Sequence, residues 1–175
     1  EYFWSDKIIA GMLTIGIINY VESLSPEIDG LKAGMTDLGY VEGKTVTYIY
    51  HGVLKPDNDI LDSEVQDLLK QGATLFMAMG TPPTERVKKA LEGTNYAGIF
   101  APVVNPVELG LITDLRKPGG RLTGIDSGGP LLEKGMQWLL ESAPNVKRIH
   151  IPYRNADDNI KTEIPMLQAA SIRIG

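Results

Sequence analysis

Three short clusters carry residue types that recognise a small polar molecule: Asn19-Tyr20-Val21-Glu22, Gly80-Thr81-Pro82-Pro83 and Asn105-Pro106-Val107. An amide, a phenol ring and a hydroxyl can hydrogen-bond and stack, which suits a compact ligand with a polar and an apolar part. The same residue types also serve as turn and helix-capping residues, and spacing alone leaves both readings open.

Groups suited to breaking bonds are scattered or absent. His51 and His150 have no second His or Cys near them in sequence and read as strand histidines rather than metal ligands. Asp57, Asp59, Asp62, Glu64 and Asp67 follow the spacing of a helix's solvent face, and Asp157-Asp158 suit the start of a helix, where the dipole favours acidic residues. The chain has 0 cysteines, which excludes zinc–thiolate sites, disulfides and thiol nucleophiles while leaving the compartment open. Gly119-Gly120-Arg121 and Gly124…Gly128-Gly129 lack the phosphate-loop run, and Gly11 and Gly16 form no Gly-x-Gly-x-x-Gly. No Gly-x-Ser-x-Gly elbow occurs either. The residues therefore point to no catalytic group, no cofactor and no metal.

The elements that must position the three clusters alternate between strand and helix. Met12–Ile18, Thr45–Tyr50, Ala73–Met79 and Tyr96–Val104 are apolar, β-branched or aromatic runs and read as strands. Leu24, Ile28, Leu31, Met35 and Leu38 form a helical stripe, and Leu61–Leu69 keeps the same spacing behind Asp57 or Asp59 as a cap. Pro82 or Pro83 opens a helix reaching about Leu91, and Asn105-Pro106 is expected to open another reaching about Leu115. Such alternation with short connections predicts an α/β fold with a mainly parallel sheet covered by helices on both faces. Each of the three clusters then follows the carboxyl end of a strand, where open α/β sheets form their ligand crevice. Each also precedes an expected helix, whose first N–H groups can hold an anion.

After Lys117-Pro118-Gly119-Gly120 the pattern changes. Leu122–Ile125 is a short extended piece, Pro130–Ser142 a helix, Val146–Tyr153 a strand, and the final residues are helical. One full strand and two helices are too few to enclose a core. This segment is expected to belong to something larger, whose remainder was cleaved, disordered or never made. Alternatively a second copy of the chain covers the exposed surface by self-association.

Composition limits the function classes further. With 175 residues, 43% hydrophobic and 22% charged, the chain has the make-up of a folded protein of ordinary size. Its net charge of −5, without a block of like charges, argues against a nucleic-acid partner. The longest apolar stretch, Ile8–Ile18, has 11 residues, about half of the ~20 that span a bilayer. It also lacks the flanks of a signal peptide, so any export signal lies outside this chain. Glu1–Asp6 reads as a leader, a linker or a leftover of preparation.

The same residues carry a family resemblance. Ile15–Glu22 (IGIINYVE), Leu38–Thr47 (LGYVEGKTVT), Gly80–Pro82 (GTP), Pro102–Leu111 (PVVNPVELGL), Lys117–Gly124 (KPGGRLTG) and Pro144–Tyr153 (PNVKRIHIPY) occur in order through nearly the whole chain. Together they resemble the ABC-transporter substrate-binding proteins of the tryptophan/tyrosine type, with a periplasmic-binding-protein-like class I fold. The resemblance implies two α/β lobes joined by a hinge. Residues 1–124 would form the first lobe and 125–175 the truncated start of the second. It implies a small-molecule ligand, an aromatic amino acid or similar compact solute, and a membrane permease of an ABC importer as partner. An extracytoplasmic location, periplasmic or as a cell-surface lipoprotein, follows from the same resemblance. Carried over by position, ligand-facing residues are Asn19, Tyr20, Gly80, Thr81, Pro82, Asn105 and Pro106. Thr123 falls at the crossover between lobes, and Tyr153 to Asn155 in the first ligand-facing loop of lobe two. The family usually has Asp-Pro where this chain has Asn105-Pro106, and a neutral amide cannot pair with a ligand ammonium. The family's Glu-x-Asn-Ser pattern appears only as Asp157-Asp158-Asn159-Ile160. The same bilobal fold also serves sensing, so a ligand-sensing domain of a signalling or regulatory protein stands as the alternative to a transport receptor.

Overall fold

Four apolar runs and one short extended piece pair into a parallel sheet. The computed structural model describes residues 12–128, 131–152 and 160–174. Its strands are β1 (Leu13–Asn19), β2 (Val46–Val53), β3 (Leu75–Met79), β4 (Ala97–Val103) and β5 (Leu122–Asp126), in the spatial order β2-β1-β3-β4-β5. The connecting helices are α1 (Ser25–Asp37), α2 (Asn58–Lys70) and α3 (Thr81–Leu91), followed after β5 by α4 (Leu131–Ser142) and α5 (Ile160–Ile174). The expected α/β architecture with a parallel sheet is thus the observed one.

Strand periodicity sorts the side chains onto two faces. Phe76 and Ala78 of β3 join Ile18 and Phe100 in a core with Leu61, Val65 and Leu68 of α2 and Val87 and Leu91 of α3. Met77 and Met79 of β3 join Ile15 and Ile17 in a second cluster with Ile28 of α1. The chain moves from β1 outward to β2 and then reverses, and right-handed crossovers running in opposite directions place their helices on opposite faces. Of the three helices between strands, α1 is therefore the one on the second face. Beyond it lies an apolar groove of about 430 Å³ lined by Ile15, Leu31, Met35, Leu75, Met77 and Ile125 among others.

Local chemistry sets the helix starts. Asp57 caps α2, its carboxylate accepting from the Asp59 and Ile60 N–H groups at 3.0 and 3.1 Å. Glu64 departs from the solvent face assigned to it. It is buried, with Oε1 2.8 Å from His51 Nδ1, because the adjacent strand β2 presents that histidine to α2. A sequence-spacing argument sees only the helix and not the strand beside it.

Two expected elements do not form. The helix expected from Asn105 to about Leu115 is instead a set of turns. Leu109 and Leu111 donate to the Asn105 and Pro106 carbonyls, but Asn105 at φ 53° and Gly110 at φ 67° both leave the right-handed helical region. Asp114 then takes the Arg116 and Lys117 N–H groups, each at 2.8 Å, closing a tight turn. Nor do residues 146–152 of the expected strand Val146–Tyr153 join a ladder among the described residues. A strand is defined by its neighbour, and here the apolar residues meet helices instead. Val146, Ile149 and Ile151 line an open groove of about 650 Å³ with Met136 and Leu140 of α4 and Ile164 and Leu167 of α5.

Candidate functional site

Because all five strands are parallel, the loops after β1, β3 and β4 open on one edge of the sheet. The order β2-β1-β3-β4-β5 places the reversal of chain direction between β1 and β3, the position where doubly wound sheets bind ligands. Asn19 and Met79 are register partners at the ends of these two strands, so Tyr20 and Gly80 flank the crevice.

Asn19 is 0% exposed and organises the first loop. Its Oδ1 accepts the Val21 N–H at 2.9 Å and its Nδ2 donates to Ser25 Oγ at 3.3 Å. Two turns of chain, including a short 3₁₀ segment Glu22–Leu24, are thereby held against the strand end. Half-buried Tyr20 projects from this support, packed against the α2–α3 core.

Opposite it, Gly80 adopts φ 87° and ψ 171°, a backbone conformation essentially reserved to glycine. The Tyr20 ring occupies the space a side chain would take, since a Cβ on Gly80 would stand 2.7 Å from Tyr20 Cε1. The Gly80 carbonyl is fixed by Thr84, whose hydroxyl donates at 2.7 Å and whose N–H donates at 3.3 Å. Thr84 is completely buried and did not emerge from sequence reasoning, although a hydroxyl four residues into a helix start is a signal for such a bond.

Helix α3 begins at Thr81, with Pro82 and Pro83 next. The prolines carry no N–H, so the expectation of several free donors around Pro83 does not hold. Thr81 is the one residue of the first three helical positions with a backbone donor, and it is 4% exposed. The helix dipole also favours negative charge at this end.

The third loop carries Asn105 and Pro106, both buried. Asn105 is 5% exposed and left-handed, its N–H donating to Asp126 Oδ1 at 3.2 Å. Its Nδ2 points to the Met166 sulfur of α5 at 3.4 Å, so this loop already touches the segment that follows the sheet. Thr123 is not brought to the crevice. It lies exposed within β5, paired with Ile99 and three positions before the strand end, so the strand's last residue, Asp126, takes the place beside Asn105. Tyr153 and Asn155 lie outside the described residues.

Among the described residues no group of three His, Cys, Asp or Glu side chains converges as a metal site, and no helix is long and apolar enough to cross a membrane. Away from the crevice, β2 carries a tyrosine whose hydroxyl is perturbed. Burial, and then the charge of Glu42, raise the pKa of the Tyr48 hydroxyl.

Residues 14–175 match the family model of ABC transporter substrate binding proteins. The chain belongs to this family. It is 27% identical over 157 residues to the tyrosine-binding protein of Clostridioides difficile, a match covering 87% of this chain and 44% of that protein. As an ABC substrate-binding chain it also shares its fold with two solved structures. One is a conserved domain protein from Vibrio cholerae, with a TM-score of 0.80, 22% identity, and coverage of 94% of this chain and 54% of that one. The other is an ABC domain from Streptococcus pneumoniae in complex with L-Trp, with a TM-score of 0.80, 24% identity, and coverage of 94% and 55%. This family member thus spans about half the length of the relatives it matches.

Proposed function

We propose that this chain supplies the first lobe, residues 1–124, and the start of the second, 125–175, of an extracytoplasmic solute receptor. The receptor captures a compact organic solute of the aromatic amino-acid kind and delivers it to the membrane permease of an ABC importer. One observation carries the reading to this site: at the point where strand order reverses, the Tyr20 ring rests on the bare Cα of Gly80 beside the start of α3. An aromatic face, one helix-end donor at Thr81 and the amide of Asn105 suit a ligand with a ring and a polar head. Family membership and the L-Trp and tyrosine named for two relatives support the same class of solute.

Calorimetry with L-Trp and L-Tyr on the intact protein tests the assignment. Tyr20→Ala is expected to weaken binding by about tenfold, equivalent to about 1.4 kcal/mol. Thr81→Val is expected to weaken it by roughly ten- to a hundredfold if its hydroxyl meets a carboxylate. Wild-type affinity in Tyr20→Ala would remove the ring from the site, and a loss below about threefold in Thr81→Val would leave that hydroxyl as part of the helix start only.

A further inference from the structure

The β4–β5 ladder loses register between Phe100 and Val103 and recovers at the pair Val103–Asp126, where the Ser127 N–H donates to the Val103 carbonyl at 2.9 Å. Immediately beyond, a single carboxylate oxygen ties two loops together. Asp126 Oδ1 accepts the Asn105 N–H at 3.2 Å and the Gly128 N–H at 2.8 Å. The first N–H belongs to the loop after β4, the second to the chain leaving the sheet toward α4. Asn105 needs such a tether, because it is a buried non-glycine residue at φ 53° whose side chain also reaches Met166 of α5.

We infer that Asp126 is a positioning residue of the crevice: through Oδ1 it locks the left-handed Asn105 loop to the crossover between the sheet and the following segment. The inference rests on the proposed solute-binding reading for its functional consequence, though not for the bracket itself. Its chemistry is an acceptor role, since both N–H groups converge on one oxygen. The side-chain oxygen of asparagine can take that place, whereas alanine leaves both N–H groups without it.

Amide hydrogen exchange on the intact protein, compared among wild type, Asp126→Ala and Asp126→Asn, reads the bracket without any ligand. In Asp126→Ala the Asn105 and Gly128 amides are expected to exchange at least about tenfold faster, with the Ile17 and Phe100 amides of the sheet unchanged. Asp126→Asn is expected to stay within about threefold of wild type at all four. Equal acceleration at all four amides, no acceleration at Asn105 and Gly128, or an asparagine variant as impaired as alanine would each overturn the bracket. In parallel, calorimetry with L-Trp and L-Tyr is expected to show at least about tenfold weaker binding in Asp126→Ala and recovery in Asp126→Asn. Altered exchange with unaltered binding would refute the positioning role. Wild-type protein that takes up neither amino acid would instead count against the solute class, while the exchange data would still decide the bracket.

Discussion

Gly80→Ala is expected to damage both the fold and the crevice. At φ 87° and ψ 171° an L-residue is strained by about 1–3 kcal/mol. The backbone has little freedom to relax, because Thr84 holds the Gly80 carbonyl through its hydroxyl and its N–H. The new methyl would also stand 2.7 Å from Tyr20 Cε1, closer than carbon atoms approach without contact, so the ring must move. That ring packs on the α2–α3 core, and moving it uncovers apolar surface while displacing the aromatic wall of the crevice. Each kcal/mol lost lowers the melting temperature of a chain this size by about 2–4 °C. Binding of L-Trp or L-Tyr should fall by at least about tenfold at the same time. An alanine variant that melts and binds like wild type would show that the ring-on-glycine contact does not shape the site.

Gly124→Ala should also destabilise strongly, by a different route. Gly124 pairs with Phe100 across the β4–β5 ladder, and a Cβ there would lie 2.1 Å from the Phe100 carbonyl oxygen and 2.5 Å from its ring carbons Cγ and Cδ2. Phe100 is fully buried in the α2–α3 core, so neither its backbone nor its ring can step aside cheaply. Overpacking of this kind costs 1–3 kcal/mol and sometimes more. With backbone in the way we expect about 3 kcal/mol, a fall of about 6–12 °C in melting temperature. Gly120→Ala, with no atom within 4 Å of the added Cβ, is the neutral control. Equal melting of the two variants would contradict the close approach of β5 to β4.

Most of the sheet was legible because four of its strands are apolar runs bounded by polar turns, which burial on both faces demands. The strand ends were less legible. Asn19 looks like a loop residue, yet it completes β1 as the partner of Met79, its amide satisfied by Val21 and Ser25. Similarly, β2 continues through His51 and Gly52 to Val53 because the ladder to β1 resumes there, opposite Asn19. The three loop clusters were legible as neighbours, since any parallel sheet gathers its carboxyl ends. The geometry between them was not. Nothing in the string Gly80-Thr81-Pro82-Pro83 says that a ring from another loop fills the place of the glycine side chain.

The helix expected after Asn105-Pro106 stops after its first turn. Proline at the first position is a fair helix signal, and the Leu109 N–H does reach the Asn105 carbonyl, but Gly110 at φ 67° ends the turn, while Asp126, 21 positions from Asn105, holds the residue before the proline left-handed. Asp126 itself was passed over, although an Asp two residues before a glycine is a turn signal in its own right. Thr123 pairs with Ile99 inside β5, three positions before Asp126. Within Val146–Tyr153 the apolar residues Ile149, Ile151 and Tyr153 alternate as in a strand, but alternation reports a half-buried surface and not the presence of a hydrogen-bonding neighbour.

Amide chemical-shift mapping by NMR with L-Trp and L-Tyr tests the central claim most directly. The account predicts saturable shifts concentrated at Tyr20, Gly80, Thr81 and Asn105, the residues that follow the carboxyl ends of β1, β3 and β4. The opposite ends of the same strands, at Leu13, Leu75 and Ala97, should stay unmoved. Shifts centred on that opposite edge or in the apolar groove beside α1, or no saturable shifts with either amino acid, would contradict it.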